Sequence, residues 1–129
     1  MLFRSDVRDV DGARRDATVA TIRASMNEVA ARRGVRVDIA TVSDDPPATM
    51  DAGLIDVLDA AANDAGVATH RLPSRAYHDS LFMPRACPTA MLFVPCRDGV
   101  SHRPDEFATE ADMADGVRVL AHALARLST

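Results

Sequence analysis

Hydrophobic residues recur at helical spacing in three stretches of the chain. The first runs from Ala13 to Arg33 and stops at Gly34, the second follows Asp51 and stops at Gly66, and the third follows Thr109. Aspartate and threonine side chains cap helix N-termini well, and glycine accepts the left-handed backbone that often ends a helix. The spacing therefore predicts three helices.

Each predicted helix carries an apolar stripe, and that of the second helix is expected to be its inner face. The stripes are Val19, Ile22, Met26, Val29 and Ala30 in the first helix; Leu54, Ile55, Leu58, Ala61, Ala62 and Ala65 in the second; and Met113, Val117, Leu120, Leu124 and Leu127 in the third.

Three shorter segments between the predicted helices have the character of strands. Apolar and other residues alternate over 35–40, residues 67–72 form a short candidate, and the apolar run 89–94 is typical of a buried strand. Helices that alternate with strands predict an α/β fold. Residues 43–49 contain the pair Pro46-Pro47, which can continue neither element, so a boundary is expected there.

Charge and hydropathy exclude two classes of partner. The net charge of −4 and the pI near 5.4 argue against nucleic-acid binding, which usually requires a surface with excess positive charge. No stretch approaches the roughly eighteen apolar residues that a membrane span needs, and the first residues lack the order of a signal peptide. These features predict a soluble, cytoplasmic protein that contacts neither nucleic acid nor membrane.

Two polar loops follow the predicted strands and hold the candidate chemistry. Residues 73–80 contain His78, and residues 94–106 contain His102, each with carboxylates nearby in sequence that can orient an imidazole. Neither loop is a complete metal site, because zinc needs at least three protein ligands and no paired-ligand spacing is present. On chemistry alone, such a histidine is more often a surface residue than a ligand.

The two loops and the strand between them resemble the C-terminal signature of one enzyme group. Residues 74–80 are similar to Ser-Gly-Ala-Gly-His-Asp-Ala, residues 88–95 include a counterpart of Met-Ile-Phe-Val-Pro, and residues 99–106 are similar to Gly-Ile-Ser-His-Asn-Pro-x-Glu. The group comprises allantoate amidohydrolases, N-carbamoyl-L-amino-acid hydrolases and β-ureidopropionases, which belong with the zinc aminopeptidase-like hydrolases. Asp6-Val7-Arg8 also resembles an Asp-Ile-Arg motif of their lid domain.

The resemblance implies a division of the chain into two parts. Residues 1–47 would be a partial lid or dimerisation domain, the α+β half of a ferredoxin-like fold. Residues 48–129 would be the C-terminal part of a zinc-peptidase-like catalytic α/β domain. Members of this group are much longer, and most of their metal ligands lie in the part that this chain lacks.

The resemblance also implies roles for particular residues. His102 falls on the last metal ligand, with Ser101 and Glu106 supporting it; the alternative is a loop histidine paired with Asp105 or Glu106. Arg8 matches an arginine that binds the substrate carboxylate, although it could equally be a solvated arginine at a strand end. Substrate would also contact the pocket segment Ala76, Tyr77 and His78, where Arg75 and Tyr77 replace two family glycines and put the substrate preference in doubt.

In the resembled enzymes, two zinc or manganese ions lower the pKa of a shared water, and a glutamate removes its proton. That glutamate is absent, so no catalytic residue is expected here and the chain alone should be inactive. The full-length protein would be a homodimeric amidohydrolase that cleaves a small ureido or carbamoyl acid such as allantoate or an N-carbamoyl amino acid. The alternatives are a stand-alone α/β binding or interaction module, and a relative of the dipeptidases or aminoacylases. A stand-alone module should bury 89–94 and the last helix, whereas part of a larger enzyme should expose them.

Overall fold

The computed structural model describes residues 3–128. Residues 1, 2 and 129 belong to the predicted domains 1–47 and 48–129 but lie outside the described residues. This part of the chain contains three α-helices, α1 (Gly12–Arg33), α2 (Ala52–Ala65) and α3 (Glu110–Leu127). Single turns of 3-10 helix lie at Asp79–Leu81, Met83–Arg85 and Arg97–Gly99. The prediction of three helices is confirmed. No helix within these residues is both long and apolar enough to cross a membrane.

The ends of the helices follow the local chemistry that the sequence indicates. The Asp51 carboxylate accepts the Leu54 N–H at 2.8 Å, and the Thr109 hydroxyl accepts the Asp112 N–H at 3.1 Å. Gly34 and Gly66 end α1 and α2 with φ of 64° and 68°, a left-handed backbone that a Cβ atom disfavours. These caps explain why the predicted bounds are close to the observed ones.

The described residues contain no β-strand, so the predictions of strands over 35–40, 67–72 and 89–94 are wrong. A strand is defined by hydrogen bonds to a neighbouring strand, and an alternating sequence pattern cannot show that such a neighbour is present. Side chains hold residues 67–72 instead: Arg71 bonds Asp56 at 2.6 Å and Asp59 at 2.7 Å, both on α2. The predicted α/β class, with its ferredoxin-like half, is therefore not observed over residues 3–128.

The described residues form two compact units. The first contains the chain up to Thr49 together with Pro73–Leu81, and the second contains Met50–Leu72 and the chain from Phe82 onward.

In the first unit, residues 41–47 run back along α1. Arg15 donates to the Asp44 carboxylate at 2.8 Å and to the Asp45 carbonyl at 2.5 Å. Arg23 donates to the Thr41 hydroxyl at 2.5 Å. Polar contacts therefore hold this return segment, which fits the sparse burial of the apolar stripe predicted for α1: Ala30 is buried, whereas Ile22 and Val29 are exposed.

In the second unit, α2 packs against α3 through small side chains. Ala61 and Ala62 of α2 are fully buried, and Val119 and Ala123 of α3 are each 2% exposed. Short side chains let the two helix backbones approach closely. An ion pair between Arg126 and Asp64, at 2.5 Å, joins the same two helices near their C-terminal ends.

The apolar stripe predicted for α3 is present but does not form the contact with α2. Met113, Val117, Leu120, Leu124 and Leu127 are all exposed, with Val117 at 67% and Leu124 at 56%. Val119 and Ala123 form the contact with α2 and lie roughly 90° around the helix from that stripe, at about 100° per residue. The larger side chains of the α3 stripe form the more obvious sequence pattern, but the smaller Val119 and Ala123 are the ones that pack against the alanine face of α2.

Replacing Val119 by alanine should therefore destabilise the chain, whereas the same change at Val117 should not. Removing buried methyl groups from Val119 is expected to lower the free energy of unfolding by about 1–3 kcal/mol. Val117→Ala is the matched control and should stay within about 0.5 kcal/mol of the unaltered chain, because its side chain is already in water. Urea denaturation measures both values, and equal losses would contradict the observed packing.

Candidate active-site residues

The loop that carries His102 is closed at its base by Arg97. The Arg97 N–H donates to the Phe107 carbonyl at 2.8 Å, and its guanidinium lies 5.0 Å from the centre of the Phe107 ring. The same guanidinium donates to the Asp105 carbonyl at 3.3 Å. A loop with joined ends holds its tip in a defined position without regular secondary structure.

His102 lies in this loop with an unusual backbone. Its φ is 59°, and its N–H donates to the Glu106 carboxylate at 2.8 Å. A left-handed backbone costs a residue with a Cβ about 1–2 kcal/mol, although histidine adopts it more often than most residues do. Such a conformation persists where surrounding contacts hold it, and it recurs at functional sites.

The His102 imidazole is not paired with the neighbouring carboxylates. Glu106 bonds the main chain of His102, whereas the Asp105 carboxylate accepts from Arg103 at 2.8 and 2.9 Å. Among the described residues, the ring itself makes no hydrogen bond, and the residue is exposed. The alternative prediction, a loop histidine paired with Asp105 or Glu106, thus corresponds to a main-chain bond with Glu106 and leaves the imidazole unbonded among the described residues.

The described residues do not make up a metal site. Within residues 3–128, no group of three or more His, Cys, Asp or Glu side chains could hold a metal ion. A zinc ion requires at least three protein ligands, and His102 could supply one of them. Any metal site that uses His102 must therefore take its other ligands from elsewhere.

The segment 74–78 lies in the first unit, where its own side chains hold it. The His78 Nε2 lies 3.0 Å from the Ser74 hydroxyl, and the His78 carbonyl accepts the Leu81 N–H at 2.9 Å. The Tyr77 hydroxyl donates to the Asp45 carboxylate at 2.8 Å. A glycine could not make this last bond, so the side chain of Tyr77 fixes the segment to residue 45.

Arg8 contacts the same segment. Its Nη1 donates to the Arg75 carbonyl at 2.6 Å, while its Nε and Nη2 donate to the Asp6 carboxylate at 3.0 and 2.5 Å. The hydrogen bond from Arg8 lowers the pKa of Asp6 below its usual range and raises the pKa of Arg8. Each terminal nitrogen of a guanidinium carries two N–H groups, so one on each remains for a ligand.

The structure thus brings together some of the predicted site residues. Arg8, Ala76, Tyr77 and His78 all belong to the first unit, and His102 belongs to the second. Sequence reasoning missed Asp6 as the partner of Arg8 and Asp45 as the partner of Tyr77. A carboxylate two residues before an arginine was a usable signal for the first pair, but nothing in the sequence indicated the second.

Comparison with known proteins places the chain in a family. Residues 7–126 match the profile described as peptidase family M20/M25/M40. The chain belongs to this family. It is 44% identical over 124 residues to ureidoglycolate hydrolase from Oryza sativa subsp. japonica, covering 95% of this chain and 26% of that protein. It is 33% identical over 124 residues to N-carbamoyl-L-amino-acid amidohydrolase from Rhizobium meliloti, covering 96% of this chain and 30% of that protein.

A solved structure agrees with these relatives. The crystal structure of AtUAH in complex with glyoxylate superposes with a TM-score of 0.83 at 43% identity, over 94% of this chain and 29% of that chain. The loops at 73–80 and 94–106 predicted a resemblance to the carbamoyl-cleaving amidohydrolases. That prediction is confirmed. The chain spans between a quarter and a third of the length of the proteins it matches.

Proposed function

We propose that this chain is the C-terminal part of a metal-dependent amidohydrolase that cleaves the C–N bond of a ureido or carbamoyl acid. The observation that carries the proposal is the contact of Arg8 with the segment 74–78, which sets an arginine beside a polar segment in one unit. Two N–H groups remaining on a guanidinium suit a carboxylate, which such substrates carry. Ureidoglycolate is the first candidate substrate, because identity is 44% to a ureidoglycolate hydrolase and 33% to an N-carbamoyl-amino-acid hydrolase.

Each predicted site residue keeps a defined role in this proposal. Arg8 binds the substrate carboxylate, and Asp6 orients the Arg8 guanidinium through its two oxygens. The segment Ala76, Tyr77 and His78 borders the substrate. His102 supplies one ligand to a site for two zinc or manganese ions, which activate water when bound.

The same proposal assigns the two parts of the chain. Residues 1–47 would belong to the lid or dimerisation domain and residues 48–129 to the catalytic domain of a homodimeric enzyme. In that arrangement the chain binds and orients substrate and contributes a metal ligand, and the general base comes from outside it.

The stand-alone binding module is the weaker candidate. An independent domain of this kind should bury the apolar faces of 89–94 and α3, and Phe93, Val117 and Leu124 are instead exposed. Uncovered apolar faces favour a chain that functions against additional polypeptide.

A chimera tests the proposed function. We would replace the 124 matching residues of the rice ureidoglycolate hydrolase by this chain and measure ammonia release with manganese or zinc. The chimera is expected to hydrolyse ureidoglycolate with a higher kcat/KM than allantoate or an N-carbamoyl amino acid. The isolated chain, measured beside it, should release no ammonia and should bind zinc no more tightly than micromolar.

Two results would contradict the proposal. One is a folded, metal-loaded chimera that hydrolyses none of the three substrates. The other is turnover by the isolated chain, since the residues described here do not make up a metal site.

A further inference from the structure

The loop that carries His102 is not supported by a hydrophobic core. Every residue from 97 to 107 is exposed except Val100, which is partly buried. Buried apolar contacts therefore cannot fix the shape of this loop, which depends on individual polar contacts. The backbone of His102, with a φ of 59°, is strained and persists only where such contacts hold it.

One arginine at the base of the loop contacts both sequence neighbours of Glu106. The Arg97 Nη2 donates to the Asp105 carbonyl at 3.3 Å, and the same guanidinium lies 5.0 Å from the centre of the Phe107 ring. The Arg97 N–H also donates to the Phe107 carbonyl at 2.8 Å. A guanidinium is attracted to the face of an aromatic ring while its N–H groups still donate hydrogen bonds. Arg97 therefore holds the chain on either side of the Glu106 carboxylate.

Glu106 passes this restraint on to His102. Its carboxylate accepts the His102 N–H at 2.8 Å across the loop. A charged acceptor makes a stronger hydrogen bond than a neutral one, so this bond stabilises the left-handed backbone of His102. The contacts thus run from Arg97 at the base of the loop through Glu106 to His102. A change at Arg97 should therefore alter the position of the imidazole without removing any contact of the ring itself.

We propose that Arg97 is a positioning residue for His102 and holds its imidazole where a metal ion can bind. This inference rests on the proposed function, in which His102 supplies one ligand to a site for zinc or manganese. Such a ligand has to be held within about 0.5 Å of its productive position. Without Arg97 the loop would keep its histidine but sample more positions, and the cost of ordering it on binding would weaken the metal affinity.

Zinc titration of the rice chimera tests this role. The zinc Kd is measured by competition with a chromophoric chelator for the unaltered chimera, Arg97→Met and Arg97→Lys. Arg97→Met keeps the length of the side chain but not its charge, and it should raise the Kd by about 3-fold to 10-fold, less than the loss of a direct support of a ligand costs. Arg97→Lys should recover part of the affinity, because an ammonium can still reach the Asp105 carbonyl and the Phe107 ring.

Turnover at saturating zinc separates positioning from a structural role. The kcat of Arg97→Met should then return close to that of the unaltered chimera, because His102 is still present to complete the site. A general loss of structure would instead lower kcat at every zinc concentration.

Two further variants sharpen the test. Phe107→Leu removes the aromatic ring under the Arg97 guanidinium and should raise the zinc Kd as Arg97→Met does. Arg85→Met is the matched control, because the Arg85 guanidinium lies 5.1 Å from the centre of the Phe82 ring in the same unit. This variant loses an equivalent contact away from the loop and should keep the zinc Kd of the unaltered chimera.

A zinc Kd for Arg97→Met no higher than that for Arg85→Met would overturn the proposal. A lower kcat at saturating zinc with an unchanged Kd would also overturn it, because only a structural role would remain. His102→Ala, measured beside these variants, separates this proposal from the proposed function. If His102→Ala weakens zinc binding and Arg97→Met does not, the role of Arg97 alone fails; if neither weakens it, the proposed function fails as well.

Discussion

His102→Ala in the rice chimera is expected to remove bound metal and to lower turnover by at least about 100-fold. Loss of residues that merely support a ligand already costs 10-fold to 100-fold in metal affinity or activity, and loss of the ligand itself should cost more. The backbone of His102 is held by Glu106 while its ring makes no bond to another described residue, so the imidazole is available for a metal. Metal content and kcat are measured on the same preparation.

His122→Ala provides the matched control for this change. His122 is also an exposed histidine of the second unit, but it lies on α3 outside the loop that resembles the family signature. It should keep full metal content and full turnover. If His102→Ala behaves like His122→Ala, the role of His102 as a ligand fails.

Arg8→Ala should produce a different loss, concentrated in substrate binding. A hydrogen bond between charged groups contributes about 1.5–3 kcal/mol, so removing the arginine should raise KM for ureidoglycolate by about 10-fold to 100-fold. The metal ions should stay bound, because Arg8 lies in the first unit and is not a ligand. Arg8→Lys should recover only part of the loss, since an ammonium lacks the two parallel donors of a guanidinium.

Arg14→Ala separates this effect from a general loss of ion pairing. Arg14 bonds the Asp9 carboxylate much as Arg8 bonds that of Asp6, and its guanidinium lowers the pKa of Asp9. Among the described residues, the Arg14 guanidinium bonds Asp9 and does not bond the segment 74–78, so its loss should leave KM unchanged. A KM that rises equally in both variants would refute substrate binding by Arg8.

The helices were predictable because their signals are local. Asp51 and Thr109 cap through bonds that reach only three residues along the chain, and Gly34 and Gly66 end helices through their own backbone conformations. Such determinants can be identified within a short window of sequence. The helix bounds could therefore be predicted closely from short sequence windows. The packing of the helices and loops against each other could not.

The failures concern contacts between distant residues. The alternation over 35–40 indicated a covered face but could not identify the element that would cover it. In the structure, it is the following return segment, residues 41–47, that contacts α1, and it does so through arginines. The α3 stripe was the most hydrophobic face of that helix, yet Val119 and Ala123 form the contact with α2. The alanines of α2 let the two helix backbones approach closely, and only small side chains fit between backbones at that distance. Patterns of hydrophobicity identify faces, and the choice of partner depends on shape.

The site residues divide in the same way. The candidate residues were found through a resemblance of short loops, and the structure adds that Arg8 contacts the segment 74–78 through the Arg75 carbonyl. The Tyr77 contact with Asp45 spans 32 residues, and no spacing rule could have suggested it. No group of three or more His, Cys, Asp or Glu side chains among the described residues could hold a metal ion, so neither the sequence pattern nor the fold of this chain makes a complete metal site.

Zinc-edge anomalous diffraction from crystals of the zinc-loaded rice chimera tests the central claim most directly, namely that this chain contributes one metal ligand to a larger hydrolase site. The expected result is an anomalous peak about 2.0–2.1 Å from one imidazole nitrogen of His102, the usual zinc to histidine distance. Ligands from the rice part of the chimera should complete its coordination. An occupied metal site from which the His102 imidazole is absent would contradict the claim.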